Sequence, residues 1–248
     1  MTPRRWAVTG GSRGIGRAIV VEAASRGNQV VAMGRDRTAL EETVRLAGGS
    51  TELRLCDVTD PSSVKEAFSG LEVEVLVSNA GQAVSGPVHR IGLDDWNGMF
   101  AVHATGSLLC TQAVLGGMRS RGFGRIVYLA SVAGLVGPKY TGAYAAAKHA
   151  MLGLMRVAAA EVGGSGITAN AVCPGFVDTQ MTEGTIERIA ATTSLEPDGA
   201  KAVLEGMSPL GRLITPEEVA SAVMYIASDE AGAVNGHAMV IDGGGTIA

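Results

Sequence analysis

Seven mostly small residues, Gly10-Gly-Ser-Arg-Gly-Ile-Gly16, separate a short apolar segment at 6–9 from a helical segment running to about residue 25. Glycine at such a turn lets the backbone close in on a diphosphate, while the helix that follows aims its free N–H groups and positive dipole end at the same point. A glycine-rich turn alone says little. Placed between a strand and a helix at the head of a repeating β-α pattern, it predicts a doubly wound parallel sheet built to hold a dinucleotide. Gly10, Ser12, Arg13, Gly14, Ile15 and Gly16 form the candidate cradle.

The β-α pattern continues along the chain. Apolar runs predict strands at 29–33, 52–55, 73–77, 126–130, 167–172 and 237–241, with Cys173-Pro174-Gly175 breaking the sixth. Helices are expected at 38–46, at 94–118 as a long and mostly buried element, from 142 onward, and at 216–228 with Thr215 as N-cap and Pro216 in the first turn. The fold expected is α/β, one Rossmann-type domain over 1–248 with about seven strands and helices on both faces. Residues 176–209 are polar and lack a clear period, so they read as a loop-rich substrate lid.

The end of the second strand decides which nicotinamide cofactor fits, because an arginine there favours a ribose 2′-phosphate and a carboxylate favours a free 2′-hydroxyl. Arg35 follows that strand and Arg13 stands in the glycine turn, a pair that favours NADP(H); Asp36, one position on, would admit NAD(H) after a small backbone shift. Asp57, beside Val58, ends the third strand and is placed to meet an adenine amino group, while Asp60 before Pro61 reads as a helix cap. Asn79-Ala80-Gly81 ends the fourth strand as a tight turn that lets the cofactor's ribose approach, although an asparagine there also suits a plain turn.

The second constellation lies at the end of the fifth strand. Ser131 follows the apolar run, and thirteen residues later Tyr144-Ala-Ala-Ala-Lys148 opens an alanine-rich helix. Four residues on a helix place phenol and ammonium on one face about 6 Å apart along the axis. A cation about 5 Å from a phenol, at an effective dielectric of about 20, favours phenolate by roughly 3 kcal/mol and so makes Tyr144 more acidic. Ser131 can donate to an oxygen that gains charge when a carbonyl is reduced. Such a tyrosine–lysine pair taken alone is more often a surface pair; the serine and the glycine turn reverse those odds.

Bulk properties exclude other classes. The net charge is −4 and no Lys/Arg cluster is present, which argues against a nucleic-acid partner. Cys56, Cys110 and Cys173 are scattered and read as reduced core thiols of a cytoplasmic protein. The four histidines lack metal-ligand spacing, so no metal is expected. The segment Met1 to Arg5 leads directly into a strand, so no targeting segment is read, and no uninterrupted apolar run nears the ~18 residues of a membrane span. Val132, Leu135 and Tyr140 beside the fifth strand, with Phe176, Met181 and Met207 in the lid, are expected to shape a pocket for a small-molecule carbonyl or alcohol.

The glycine turn, Asp57-Val58, Asn79-Ala-Gly81, Ser131, Tyr144-Ala-Ala-Ala-Lys148, Pro174-Gly175 with Thr179, and Asp242-Gly-Gly244 together resemble the short-chain dehydrogenase/reductase family, nearest its 3-oxoacyl reductase and bacterial carbonyl reductase branch. The resemblance implies that Tyr144 transfers the proton, Lys148 holds the nicotinamide ribose and tunes Tyr144, and Ser131 orients the substrate carbonyl. It also implies that Pro174, Gly175, Val177 and Thr179 meet the nicotinamide end. A homotetramer is implied as well, with long helices and the segment 236–248 at its interfaces. One position departs from the family pattern: His103 stands in Val102-His-Ala-Thr-Gly106, where an asparagine usually supports a proton relay. His103 would either relay protons itself, with a pKa near working pH, or be a packed helix residue. The activity implied is NADPH-dependent reduction of a free ketone or 3-oxoacyl thioester. The alternatives are an NAD-dependent secondary alcohol or hydroxyacyl dehydrogenase and, remotely, a non-enzymatic dinucleotide sensor.

Overall fold

A computed structural model describes residues 3–246; Met1, Thr2 and the last two residues of the 236–248 segment lie outside the described residues. Seven strands, β1 (Arg5–Thr9), β2 (Gln29–Gly34), β3 (Thr51–Leu55), β4 (Val75–Ser78), β5 (Gly124–Leu129), β6 (Ile167–Pro174) and β7 (Ala238–Ile241), form one sheet in the order β3-β2-β1-β4-β5-β6-β7. Every pairing is parallel. The order reverses between β1 and β4, and the crevice beyond the carboxyl ends of strands at such a reversal is where this architecture takes ligands.

The helices are α1 (Gly14–Ser25), α2 (Arg37–Ala47), α3 (Pro61–Phe68), α4 (Leu93–Phe100), α5 (Gly106–Arg121), α6 (Gly142–Glu161), α7 (Gln180–Thr192), α8 (Pro197–Glu205) and α9 (Pro216–Ile226). Alternate strand residues serve two cores, because successive side chains of a strand point to opposite faces. Ala7, Leu76, Ile126 and Tyr128 meet Cys110, Met118, Met151 and Met155 from α5 and α6 on one face. Trp6, Val8, Val75 and Val77 meet Ile19, Val20, Val219 and Val223 from α1 and α9 on the other. Full burial of each large aliphatic side chain contributes about 1.5–3 kcal/mol, so both faces hold the strand ends in register. Thr215 caps α9 in a reciprocal box with Glu218, Pro216 occupying the first turn.

Three expectations are corrected. The lid is not irregular: α7 and α8 occupy most of it, turning Thr182, Ala200 and Leu204 inward while polar residues cover the outside. With so few apolar positions on each helix, the period is weak in the sequence. Strand β6 runs through Cys173 to Pro174, whose missing N–H falls at the strand's last position. The 94–118 helix is α4 and α5 joined by a π-helical turn, Ala101–Thr105. Nor is it mostly buried: only 39% of its most apolar window is enclosed. By length and composition alone the stretch Leu93–Arg121 is apolar enough to cross a membrane; in this fold α5 packs on the sheet and the π turn carries His103 into the interior.

Candidate active site

Thr9, the last residue of β1, organises the crevice from below. Its buried hydroxyl accepts from the backbone N–H groups of Asn79 (3.0 Å) and Ala80 (3.1 Å), tying the end of β1 to the turn after β4. Asn79 in turn donates its side-chain amide to the carbonyls of Thr9 (2.9 Å) and Gly10 (3.1 Å). Asn79 therefore braces the glycine turn as well as bordering the cavity. Gly16 has no room for a side chain, since a Cβ there would lie 2.1 Å from the Gly10 carbonyl oxygen, and Gly10 itself has φ +66°, a region costly for other residues. Arg17 locks the turn from outside, donating to Ser12 O (2.7 Å), Ala39 O (3.3 Å) and Thr43 Oγ1 (3.0 Å).

These braces frame a cavity of about 460 Å³. All six residues of the glycine cradle border it, as do Arg35, Asp57, Val58, Asn79, Ala80 and Gly81. Arg13, at the N-cap of α1, makes no side-chain cap, so the first-turn amides of that helix are left to a ligand. Leu129, Ala130, His103, Tyr144, Lys148 and Pro174 border it too, with Met181 from the lid and Thr179, which lies close to Gly14 of the turn. A cavity bordered by two arginines, by the uncapped first turn of a helix and by a phenol–ammonium pair fits a phosphorylated dinucleotide.

Around the cofactor end the acidic residues are already engaged. Asp36 caps α2 by accepting from Ala39 N (3.1 Å) and takes Arg13 on its other oxygen (2.8 Å). Each oxygen holds one such bond and keeps a lone pair for a further donor. Arg13 also donates to Gln180 Oε1 (3.1 Å), linking the glycine turn to the first residue of α7. Arg35 lies 3.8 Å from Asp57 and is well exposed, so it is free to swing toward a phosphate. Asp57 accepts from the backbone and hydroxyl of Thr59, which hold its carboxyl below the usual range, and Asp60 is the helix cap, accepting from Ser62 N.

Ser131 lies two residues past the end of β5 and caps a single 3-10 turn, its hydroxyl oxygen accepting from Ala133 N (3.1 Å). With that acceptor position taken, the O–H proton is available to donate. It follows Leu129 and Ala130 but is not itself part of the cavity wall. Lys148 is buried, donates to the Leu129 carbonyl (2.6 Å) and sits 5.6 Å from the centre of the Tyr144 ring. The expectation that this ammonium makes Tyr144 acidic is not met. Burial raises the phenol above its ordinary value, opposed in part by the Ser131 hydroxyl, and the same burial brings Lys148 down to about 7. Two groups in one desolvated wall each lose their charged form; a cation itself half-titrated at neutral pH cannot stabilise a phenolate strongly.

His103 is held inside the protein by the π-helical turn. It is 1% exposed, its Nε2 donates to the Gln82 carbonyl (2.8 Å) and its ring meets Tyr144 edge-on at 5.4 Å. Burial and the nearby Lys148 charge lower its pKa to about 3. Gly81 yields the space the ring needs, since a Cβ there would come within 2.9 Å of His103 Cε1.

Other expected contacts are placed elsewhere. The Val177 side chain is buried in the core with Ile214, and Gly175 packs against Asp242, so neither borders the cavity. Of the six substrate residues only Met181 lines it. Leu135 rests on the core, Val132 is half-buried in the 3-10 turn, and Phe176 and Met207 are exposed. Tyr140 is exposed with φ 68° and borders a separate small cleft. Hydrophobic identity beside a strand end does not say which way a side chain turns. Sequence reasoning passed over Cys56, Gln82, Val102 and Gln180, which also border the cavity, because none belongs to a type that signals chemistry.

The model of a family described as enoyl-(acyl carrier protein) reductase matches residues 10–246. A 2-(S)-hydroxypropyl-CoM dehydrogenase from Xanthobacter autotrophicus is 38% identical, with 97% of this chain and 95% of the relative covered. A 3-oxoacyl-[acyl-carrier-protein] reductase from Salmonella typhimurium is 33% identical over 96% of this chain and 95% of that protein. Among solved structures, an actinorhodin polyketide ketoreductase variant with NADPH superposes with a TM-score of 0.95 at 32% identity, covering 99% of this chain and 98% of that one.

Proposed function

We propose, from the premise that this chain belongs to the short-chain dehydrogenase/reductase family and is an oxidoreductase of carbonyl and hydroxyl groups, that it reduces a ketone with NADPH, using Ser131, Tyr144 and Lys148. The observation that carries this reading is the single cavity joining Arg13 and Arg35 at one end to Tyr144 and Lys148 at the other. Arg13 and Arg35 would hold the 2′-phosphate, the α1 amides the diphosphate, and Lys148 the nicotinamide ribose. When bound, the cofactor supplies a hydride to the carbonyl carbon. Ser131 donates its free O–H to the carbonyl oxygen, orienting it and taking up part of its developing charge. Tyr144, kept protonated by burial, delivers the proton that completes the alcohol. Lys148, held by the Leu129 carbonyl and 5.6 Å from the centre of the Tyr144 ring, supplies a positive charge beside the oxygen that loses the proton.

Free ketone and 3-oxoacyl thioester both suit this chemistry. NADP(H) is favoured over NAD(H) because Arg35, at the end of β2, and Arg13, in the glycine turn, both border the cavity and together outweigh the single carboxylate of Asp36 beside them. Cofactor oxidation with acetoacetyl thioesters and aryl ketones tests the whole. NADPH is expected to exceed NADH in kcat/KM by about tenfold or more, the worth of one charged hydrogen bond to phosphate, and Arg35→Asp to shift preference toward NADH. Unchanged discrimination in the variant would place the phosphate elsewhere; no turnover with any carbonyl would favour the sensor alternative. The chain is proposed to act in the cytoplasm, its three cysteines being free and buried, and as a homotetramer that covers the exposed Leu93, Trp96 and Leu108 of α4 and α5 and the open edge of β7.

A further inference from the structure

We infer that Gln180, the first residue of the lid helix α7, is a specificity-determining residue for the cofactor: it holds Arg13 in place for a ribose 2′-phosphate, so that phosphate binding and lid docking favour one another. The inference rests on the dinucleotide-binding reading above and adds to it a residue and a coupling.

The geometry begins where the lid leaves the sheet. Val177 is bridged to Ile214, Asp178 donates its N–H to the Ile214 carbonyl (2.9 Å), and the buried Thr182 donates its hydroxyl to the Val177 carbonyl (2.5 Å), so the root of α7 is fixed to the core. Between these anchors Thr179, Gln180 and Met181 pass along the cavity, and all three border it. Thr179 lies on the glycine turn, where a Cβ on Gly14 would come within 3.2 Å of its Cγ2. Gln180 makes the polar half of the same contact, its Oε1 accepting from Arg13 Nη1 (3.1 Å). Because Gln180 opens α7, which runs for 13 residues, whatever holds its side chain bears on the seating of that whole helix.

Arg13 stands between two acceptors of different charge. Its Nη2 pairs with Asp36, the cap of α2 (2.8 Å), and its Nη1 with Gln180, and all three residues border the cavity although they lie far apart in the chain. Asp36 alone would draw the guanidinium to its own side. The amide oxygen of Gln180 draws the second Nη across, so both acceptors together set the plane of the fork. Two of the five guanidinium N–H bonds are used, which leaves three for an anion. Gln180 is itself exposed, and its side-chain N–H groups donate to nothing among the described residues, so it can offer a neutral donor to that same anion. A free 2′-hydroxyl carries no charge for this fork to read. A phosphate that fixes Arg13 fixes the group to which Gln180 is bonded, and by reciprocity the docking of α7 raises the affinity for phosphate by the same factor.

The test compares calorimetric binding of NADP⁺ and NAD⁺, which differ only by the 2′-phosphate, with no carbonyl compound present. The ratio of NADP⁺ to NAD⁺ affinity is expected to fall about fivefold in Gln180→Leu and further in Gln180→Glu, whose charge opposes the phosphate, while NAD⁺ affinity stays within about twofold of wild type. In an Arg13→Met background Gln180→Leu is expected to lower the ratio by less than half as much, because the two residues act as a unit. Hydrogen exchange of the α7 amides is expected to be slowed more by NADP⁺ than by NAD⁺ in the wild type, and equally by both in Gln180→Leu. A ratio unchanged in both single variants overturns the inference. So do an equal loss for the two nucleotides, which would make Gln180 a lid anchor only, a fully additive loss in the Arg13→Met background, and equal protection of α7 by both nucleotides in the wild type. Wild-type protein that binds neither nucleotide refutes the dinucleotide reading and the inference with it, whereas tight NADP⁺ binding with an unaltered ratio in the variants refutes the inference alone.

Discussion

Tyr144 owes its protonation to the wall around it. Burial raises the phenol's pKa and so favours its neutral form, the state that the proton donor of the proposed reaction must hold, with Ser131 as the proposed second donor to the same oxygen. Tyr144→Phe keeps the ring and its edge-on contact with His103 while removing the proton. Turnover is expected to fall by about 10²–10⁴-fold with NADPH binding retained, as followed by cofactor fluorescence and single-turnover absorbance; undiminished turnover in cofactor-loaded protein would end the assignment. His103 is a neutral packing residue in this account. Because it has lost its proton well below pH 6, His103→Asn is expected to leave the pH–rate profile between pH 6 and 9 unaltered, and a displaced limb in that range would restore the relay. Ser131, Tyr144 and Lys148 were legible as a candidate site from their spacing together with the glycine turn at the head of the chain. The direction of their pKa shifts was not, because charge proximity and desolvation oppose each other and only the packed wall determines which is larger.

At the scale of elements, the β1–turn–α1 unit does most to define the crevice. Its strand, glycines and helix were legible in sequence because backbone approach has few chemical solutions. Gly16→Ala would set a methyl 2.1 Å from the Gly10 carbonyl and 2.5 Å from Asn79 Nδ2. The loop must then open, at a cost of about 1–3 kcal/mol for overpacking, and NADPH binding is expected to weaken at least tenfold. Titration calorimetry, with thermal unfolding as the control for folding, reads both; wild-type affinity would show that the turn is not the diphosphate cradle. The lid was the least legible element, for α7 and α8 each turn few residues inward, and so was the π turn at Ala101–Thr105, which needs the partner surfaces of α5 and α6 to define it.

For the whole molecule, buried titratable groups set how stability follows pH. His103 at about 3 and Lys148 at about 7 both lie below their ordinary values of 6.5 and 10.5. In those intervals the unfolded chain binds more protons, so stability rises with pH from about 3 to 6.5 and again above about 7. Cys56 and Cys173, pushed up to about 11, have the opposite sign, since the unfolded chain releases their protons first, and stability falls above about 9. Urea midpoints measured from pH 4 to 11 are expected to climb to a maximum between about 7 and 9; a maximum below pH 6 would contradict the burial of both His103 and Lys148. Strand number, chain direction, cofactor class and the serine, tyrosine and lysine at the centre were determined by the sequence by itself, because each depends on local periodicity or on a backbone approach that only certain residues allow. The tertiary structure alone decided which apolar residues face the cavity and that burial opposes the charged forms of both Tyr144 and Lys148. Those depend on distances between residues far apart in the chain, and no spacing along it encodes the dielectric that packing creates.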